Sequence, residues 1–328
     1  MAAPVNVLIL LALPEAIGNQ YLERLRAEFP QLTVDLVDHH SKAGAHIADA
    51  EILVTFGAHM ADHVLEEGVR LRWIQALGTG VDGIADRPAL RDGVMVTNLR
   101  GLHGPAVSES VLASMLALAR DLRRSLANQA QARWTRFPVS LLKGRTVGIL
   151  GIGVIAEELA PKCRALGMRV VGISSVDRPV AGFERIWSRD QLVDAVPELD
   201  HLVLLTPYSE ATRGIVNQRV LAAMKPTSFL INVARGGIVD EPALITALTE
   251  RRIAGAALDV FSEEPLRADH PFWALDNVLL TPHIAGFHTG YADDAIPLVV
   301  ENMRRFLAGD VASMVNVVPR RPDGRHDH

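Results

Sequence analysis

Three residues that suit carbonyl chemistry each follow a short apolar run. Arg235 lies in Val233-Ala234-Arg235-Gly236-Gly237, after Ser228 to Asn232. Glu264 lies in Asp259-Val260-Phe261-Ser262-Glu263-Glu264-Pro265, after Ile253 to Leu258. His283 lies in Thr281-Pro282-His283-Ile284-Ala285-Gly286, after Val278 to Leu280. If the runs are neighbouring strands of one parallel sheet, these side chains gather at its carboxyl edge, where open α/β sheets bind ligands. A guanidinium, a carboxylate and an imidazole in one cleft would make a coherent site for binding an anion and moving a proton. Singly, each has a plainer reading: Arg235 as a surface ion pair, Glu264 as the solvated end of an acidic loop, His283 as a satisfied histidine behind a proline.

Upstream, the β-branched run Thr146 to Leu150 enters Gly151-Ile152-Gly153-Val154-Ile155-Ala156 and then a helical segment. Gly151 permits a tight turn, Gly153 lets the backbone approach phosphates, and Ala156 allows close helix–strand packing. Unpaired N–H groups at the helix start would then hold a dinucleotide pyrophosphate. The next strand, Arg169 to Ile173, ends in Ser174-Ser175, where an NAD-selective site places a carboxylate on the ribose. Two hydroxyls with nearby Arg178 suit a 2′-phosphate instead, so NADP is the expected cofactor. NAD stays open, because Asp177 lies on the same loop and because these residues also read as a polar turn.

Strand–helix alternation runs through the rest of the chain. Val5 to Leu11, Thr33 to Val37, Glu51 to Phe56, Trp73 to Leu77 and Val94 to Asn98 read as strands of a first unit, with helices such as Glu15 to Glu28 between them. Thr146 to Leu150, Arg169 to Ile173, His201 to Leu205, Ser228 to Asn232, Ile253 to Leu258 and Val278 to Leu280 repeat the pattern. Such alternation predicts two parallel sheets, each covered on both faces. Pro105 to Ala127 carries apolar residues at helical spacing and is expected to be one long connecting helix, and Tyr291 to Leu307 a final one.

Composition narrows the partners. A chain of 328 residues with 49% hydrophobic residues supports two domains and a large core. A net charge of −5 without a basic cluster argues against nucleic acid. The longest apolar stretch, Val5 to Leu13, is far below the roughly 18 residues that span a bilayer, and no basic residue precedes it. The single cysteine, Cys163, cannot form an internal disulfide, which fits a reducing cytoplasm. The tail after Pro319 has no apolar residue to bury and is expected to be disordered.

Taken together, Gly78-Thr79-Gly80-Val81-Asp82, the glycine turn, Met224-Lys225-Pro226, the Arg235 segment, Asp259 to Pro265 and Pro282-His283 resemble the D-isomer-specific 2-hydroxyacid dehydrogenase family over most of the chain. The resemblance implies an α/β protein of two doubly wound parallel-sheet domains. A flavodoxin-like substrate domain would span 1–102 and 287–318, a Rossmann cofactor domain 103–286, and a tail 319–328. It implies a homodimer, with the linker region and the cofactor domains at the interface and Trp134 in a dimer arm. Arg235 matches the family's substrate-binding arginine, Glu264 its catalytic glutamate and His283 its catalytic histidine. A guanidinium can hold the carboxylate of a 2-keto acid and polarise the adjacent carbonyl, and an imidazolium can protonate the oxygen as hydride arrives.

Amides around Gly78, Thr79 and Gly80 would hold the same carboxylate. Val154 and Ile155 match pyrophosphate contacts, Thr206, Pro207 and Thr212 the adenosine side, and Val233 and Ala234 the nicotinamide ribose. Asp259 would accept the carboxamide N–H₂, or act as a capping acid. Ser174 departs from the family's usual acid, and Arg100, Phe287 and Tyr291 from its usual residues, Phe287 and Tyr291 either narrowing the pocket or packing the last helix. The expected reaction is reduction of a small 2-keto acid of the glyoxylate or hydroxypyruvate class to its D-2-hydroxy acid. A dinucleotide-sensing, corepressor-like protein without turnover is the alternative.

Overall fold

The computed structural model describes residues 5–57, 60–175 and 179–319. It divides into two compact units, one running through His103 and resuming at Thr289, the other Gly104–His288.

In the first unit, β1 (Asn6–Leu10), β2 (Thr33–Val37), β3 (Ile52–Thr55), β4 (Trp73–Ala76) and β5 (Met95–Thr97) form one sheet in the order β2-β1-β3-β4-β5. Every adjacent pair is parallel, which is the flavodoxin-like arrangement. Alternation along β1 explains why both faces are covered. Val7 and Ile9 pack with Tyr21 and Leu25 of helix Glu15–Glu28 and with Val299, Met303 and Phe306 of helix Tyr291–Leu307. Leu8 and Leu10 point the other way, toward Ile47, Val64 and Leu65 of two short helices.

The second unit holds β6 (Thr146–Leu150), β7 (Arg169–Ser174), β8 (Arg185–Ser188), β9 (His201–Leu204), β10 (Phe229–Asn232), β11 (Gly255–Leu258) and β12 (Val278–Leu280). Their order, β12-β11-β10-β9-β6-β7-β8, is parallel throughout and reverses direction beside β6, as in doubly wound dinucleotide-binding sheets. The edge strand β8 was not expected from sequence, because only Trp187 of its four residues is buried and no apolar alternation marks it.

The segment expected as a single helix over Pro105 to Ala127 is instead two, Gly104–Ala119 and Leu122–Ala130. Asp121 between them takes the left-handed conformation, φ 49° and ψ 50°. Val107, Val111, Met115 and Ala119 of the first helix are buried, whereas the second buries none of its residues. Apolar spacing persists across the break, so periodicity alone does not reveal it. Among the described residues no helix is long and apolar enough to cross a membrane.

Candidate active site

Register aligns the loops that carry the charged residues. Asn232 pairs with Leu258, and Leu258 with Leu280, so the chain leaves β10, β11 and β12 at the same level. Each following loop is then tied down by its own contacts.

After β10, the Asn232 side chain donates to the Arg235 carbonyl at 3.0 Å and accepts from the Ala234 N–H at 3.1 Å. The Arg235 guanidinium donates to the Ala234 carbonyl at 2.6 Å. Gly236 is required by close approach: a Cβ there would lie 1.9 Å from the Phe261 carbonyl carbon. The arginine loop is thereby seated directly on the Asp259–Pro265 segment.

After β11, Asp259 is 3% exposed and spends its carboxylate on the histidine loop. Oδ1 accepts from Thr281 Oγ1 at 2.5 Å and from the Ile284 N–H at 2.9 Å, and Oδ2 accepts from the Ala285 N–H at 2.9 Å. The Asp259 carbonyl takes the His283 N–H at 2.8 Å. Held this way, His283 adopts φ 54°, a left-handed conformation uncommon for a side-chain-bearing residue. Its Nδ1 lies 2.7 Å from Glu264 Oε2, while Glu264 Oε1 accepts the Phe261 N–H at 2.9 Å. Burial alone pushes the Glu264 carboxyl up. The His283 hydrogen bond and charge, the Phe261 amide and the Arg235 guanidinium outweigh it and hold the group below its ordinary value. Arg235, Glu264 and His283 are therefore brought together, with His283 Nδ1 engaged by Glu264.

The glycine turn lies in the same unit. Gly151 has φ 98°, and a Cβ there would sit 2.4 Å from the Thr206 backbone nitrogen, so only glycine lets the turn nestle against the loop after β9. Gly153 has no atom within 4 Å of where a Cβ would stand. It caps helix Val154–Ala165 with no side-chain hydrogen bond, leaving first-turn N–H groups for a ligand. Ala156 is fully buried, Ile155 half-buried and Val154 exposed. An open cradle at a helix N-terminus fits a dinucleotide pyrophosphate.

The remaining expected contacts sort by exposure. Pro207 is exposed and Thr206 buried. Thr212, at 2% exposure, donates to the Pro207 carbonyl at 2.8 Å and accepts from the Ser209 N–H at 2.8 Å, so its hydroxyl braces the loop from within. Ala234 is buried and Val233 half-buried at the end of β10. Ser174 closes β7, half-buried, and Ser175 follows, exposed. Arg178 and Asp177 lie outside the described residues.

In the first unit, Leu77 to Gly80 leave β4 as a loop pinned by Leu77 N–H to Thr55 carbonyl at 2.8 Å and Leu99 N–H to Gly78 carbonyl at 3.0 Å. The Asn98 side chain donates to the Thr79 carbonyl at 2.8 Å. Sequence reasoning singled out Tyr291 here but missed His103: the Thr79 hydroxyl lies 2.7 Å from His103 Nδ1, and His103 Nε2 lies 2.9 Å from Tyr291 Oη. Tyr291 is 3% exposed and packs in the core of this unit.

Residues 112–285 match the family model described as D-isomer specific 2-hydroxyacid dehydrogenase, NAD binding domain, which is more than half of the 328 residues. The chain belongs to the D-isomer specific 2-hydroxyacid dehydrogenase family. As a member it is an NAD(P)-dependent oxidoreductase that exchanges a hydride between the nicotinamide and a 2-keto or 2-hydroxy acid. Among relatives of this dehydrogenase, a glyoxylate reductase of Pyrococcus furiosus is 33% identical over 93% of each chain. A D-3-phosphoglycerate dehydrogenase of Methanocaldococcus jannaschii is 34% identical over 84% of this chain, which spans only about half, 53%, of that relative's length. The solved NADPH-dependent glyoxylate/hydroxypyruvate reductase of Sinorhizobium meliloti, in complex with NADP and malonate, aligns with TM-score 0.83 and 28% identity over 97% of each chain.

Proposed function

We propose that this dehydrogenase works as a reductase, converting a small 2-keto acid of the glyoxylate or hydroxypyruvate class to its D-2-hydroxy acid with NADPH. The observation that carries it is the pairing of His283 Nδ1 with Glu264 at 2.7 Å, beside Arg235. A corepressor-like sensor has no use for that arrangement.

The reduced nicotinamide supplies the hydride when bound. The chain's own residues do the rest. Arg235 holds the keto acid's carboxylate and polarises its carbonyl, where a planar guanidinium offers two parallel donors. His283 delivers a proton from Nε2 to the carbonyl oxygen, and Glu264 keeps the ring oriented through Nδ1 and offsets its charge. The N–H groups of Gly78, Thr79 and Gly80 are read as further carboxylate donors. Gly151, Gly153, Val154 and Ile155 hold the pyrophosphate, Thr206 and Pro207 flank the adenosine, and Val233, Ala234 and Asp259 lie toward the nicotinamide. The absence of a carboxylate at Ser174 and Ser175 favours the 2′-phosphate, and the Sinorhizobium enzyme is one that binds NADP.

Residues 103–286, nearly the same span as the unit Gly104–His288, are read as the cofactor domain, and 1–102 with 287–318 as the substrate domain. Two copies associate through the arm after Asp121, which exposes Leu122, Leu126, Leu141 and, at 91%, Trp134. A single-chain mass in sedimentation equilibrium at micromolar protein would overturn that. The buried lone cysteine fits a reducing cytoplasm.

The test is NAD(P)H absorbance with glyoxylate, hydroxypyruvate, pyruvate and phenylpyruvate. We expect kcat/KM to be highest for the two small substrates and at least tenfold higher with NADPH than with NADH. His283→Ala should lower kcat by roughly 10²–10⁴-fold with cofactor affinity nearly unchanged. Tight NADPH binding without turnover of any keto acid would refute the enzyme reading.

A further inference from the structure

A chain of three side chains behind the Gly78–Gly80 loop takes no part in the reaction described above. Thr79 Oγ1 meets His103 Nδ1 at 2.7 Å, His103 Nε2 meets Tyr291 Oη at 2.9 Å, and the Tyr291 hydroxyl donates to the Leu77 carbonyl. All belong to the first unit.

Donor and acceptor capacities fix the direction of this chain. A carbonyl oxygen can only accept, so the single phenolic proton is committed to Leu77. Tyr291 Oη must then accept from the imidazole, and Nε2 carries the hydrogen. In the neutral ring Nδ1 is left as a bare acceptor, so the Thr79 hydroxyl has to point its proton inward, at His103. Once the imidazole is protonated both ring nitrogens donate. Nδ1–H then donates to Thr79 Oγ1, and the hydroxyl proton turns outward, free to meet an anion.

We propose that Tyr291 and His103 are positioning residues that decide whether the Thr79 hydroxyl donates to the substrate carboxylate, with protonation of His103 turning it outward. This rests on the reading that the Gly78–Gly80 loop holds that carboxylate. His103 is half-buried, so protons reach it, whereas Tyr291 is buried and its phenol is pushed far up by burial, with Tyr21 of helix Glu15–Glu28 adding to the effect. Tyr291 thus stays protonated throughout the working range. The charged side chains nearest in sequence to the three are Arg100 before His103, Asp82 after Thr79, and Asp293 and Asp294 after Tyr291, of which Asp293 lies 3.8 Å from Arg24; Glu301, Arg304 and Arg305 lie further along the last helix.

Removing the phenol separates this from a merely structural role. In Tyr291→Phe the phenol oxygen that holds the hydrogen on Nε2 is gone, so the neutral ring can place it on Nδ1 and release the Thr79 proton at every pH. The experiment is steady-state KM for glyoxylate at saturating NADPH between pH 5.5 and 8.5, alongside kcat. For the wild type, KM should be about tenfold lower at the acid end, the worth of one hydrogen bond to a charged group. Tyr291→Phe should lower KM at pH 8.5 about tenfold relative to the wild type and leave it unchanged at pH 5.5, while any dependence that His283 imposes stays common to both enzymes.

Thr79→Val should raise KM only where His103 is protonated, and Thr79→Ser should restore the wild-type curve. A Tyr291→Phe profile that parallels the wild type overturns the proposal. So does a Thr79→Val effect equal at every pH, which would leave the carboxylate loop standing. A Thr79→Val enzyme unchanged at every pH overturns the loop reading as well. The threonine variants change a half-buried loop side chain, so they remain informative if Tyr291→Phe does not fold.

Discussion

Glu264 uses both carboxylate oxygens, one on the Phe261 amide and one on His283 Nδ1. Its pKa lies below the ordinary 4.5 because those bonds and the Arg235 charge outweigh the burial that opposes them. The sign follows: the ionised form is favoured in the folded protein, so the pair persists above about pH 4.5 and is lost as pH falls through the lowered value. The pH profile of kcat should therefore show no acid limb from this group above pH 4.5. Glu264→Gln keeps the shape but not the charge, and kcat should fall on the order of 10- to 100-fold at pH 7 with little change in KM for NADPH. An unchanged kcat would mean that His283 needs no carboxylate behind it. Arg235, Glu264 and His283 were legible as candidates because each lies in the loop that follows an apolar run, and position after a strand is a local signal. The Thr79–His103–Tyr291 chain was not, since His103 and Tyr291 are 188 positions apart and only folding of the last helix onto the first sheet joins them.

At the scale of elements, the loop from Thr281 to Ala285 is held by one acid. Asp259 receives a hydroxyl and two backbone N–H groups, a load that suits a carboxylate with several lone pairs and overfills a neutral amide with one carbonyl oxygen. Asp259→Asn should leave at least one buried donor unmet, costing about 2 kcal/mol, and it should lower kcat at least tenfold by loosening His283. Thermal unfolding and steady-state kinetics on one preparation check both. A variant as stable as the wild type but weakened only in NADPH binding would instead assign Asp259 solely to the cofactor. The strands that run Thr33–Val37, Thr146–Leu150 and Val278–Leu280 were readable to the residue, because each is a short β-branched or leucine-rich run, buried throughout in Thr146–Leu150 and in part in the two edge strands. The break at Asp121 and the strand Arg185–Ser188 were not. The first is a single backbone rotation inside an unbroken apolar pattern, and the second is an edge strand whose pairing with β7 comes from the sheet.

For the whole molecule, the response of stability to acid has an identifiable source. His201 lies on β9 near the middle of the second sheet, 2% exposed, stacked on Phe229 with ring centroids 5.5 Å apart. Its Nδ1 is buried without a partner. Burial lowers its pKa to about 4, against a pull upward from Asp200 and a further push down from Arg145. Between the ordinary 6.5 and about 4 the unfolded chain takes up a proton that the folded one refuses. Stability from this residue is therefore complete above pH 6.5 and drains away as the pH falls toward 4, by about 3 kcal/mol in all at 1.36 kcal/mol per unit. His201→Asn cannot titrate. Its stability relative to the wild type, from urea unfolding, should therefore be lowest at pH 7.5 and should recover by about that amount at pH 4.5. A wild-type-minus-variant difference that stays constant across this range would mean that His201 takes up its proton in the folded sheet at the same pH as in the unfolded chain, and the packing against Phe229 would have to be wrong.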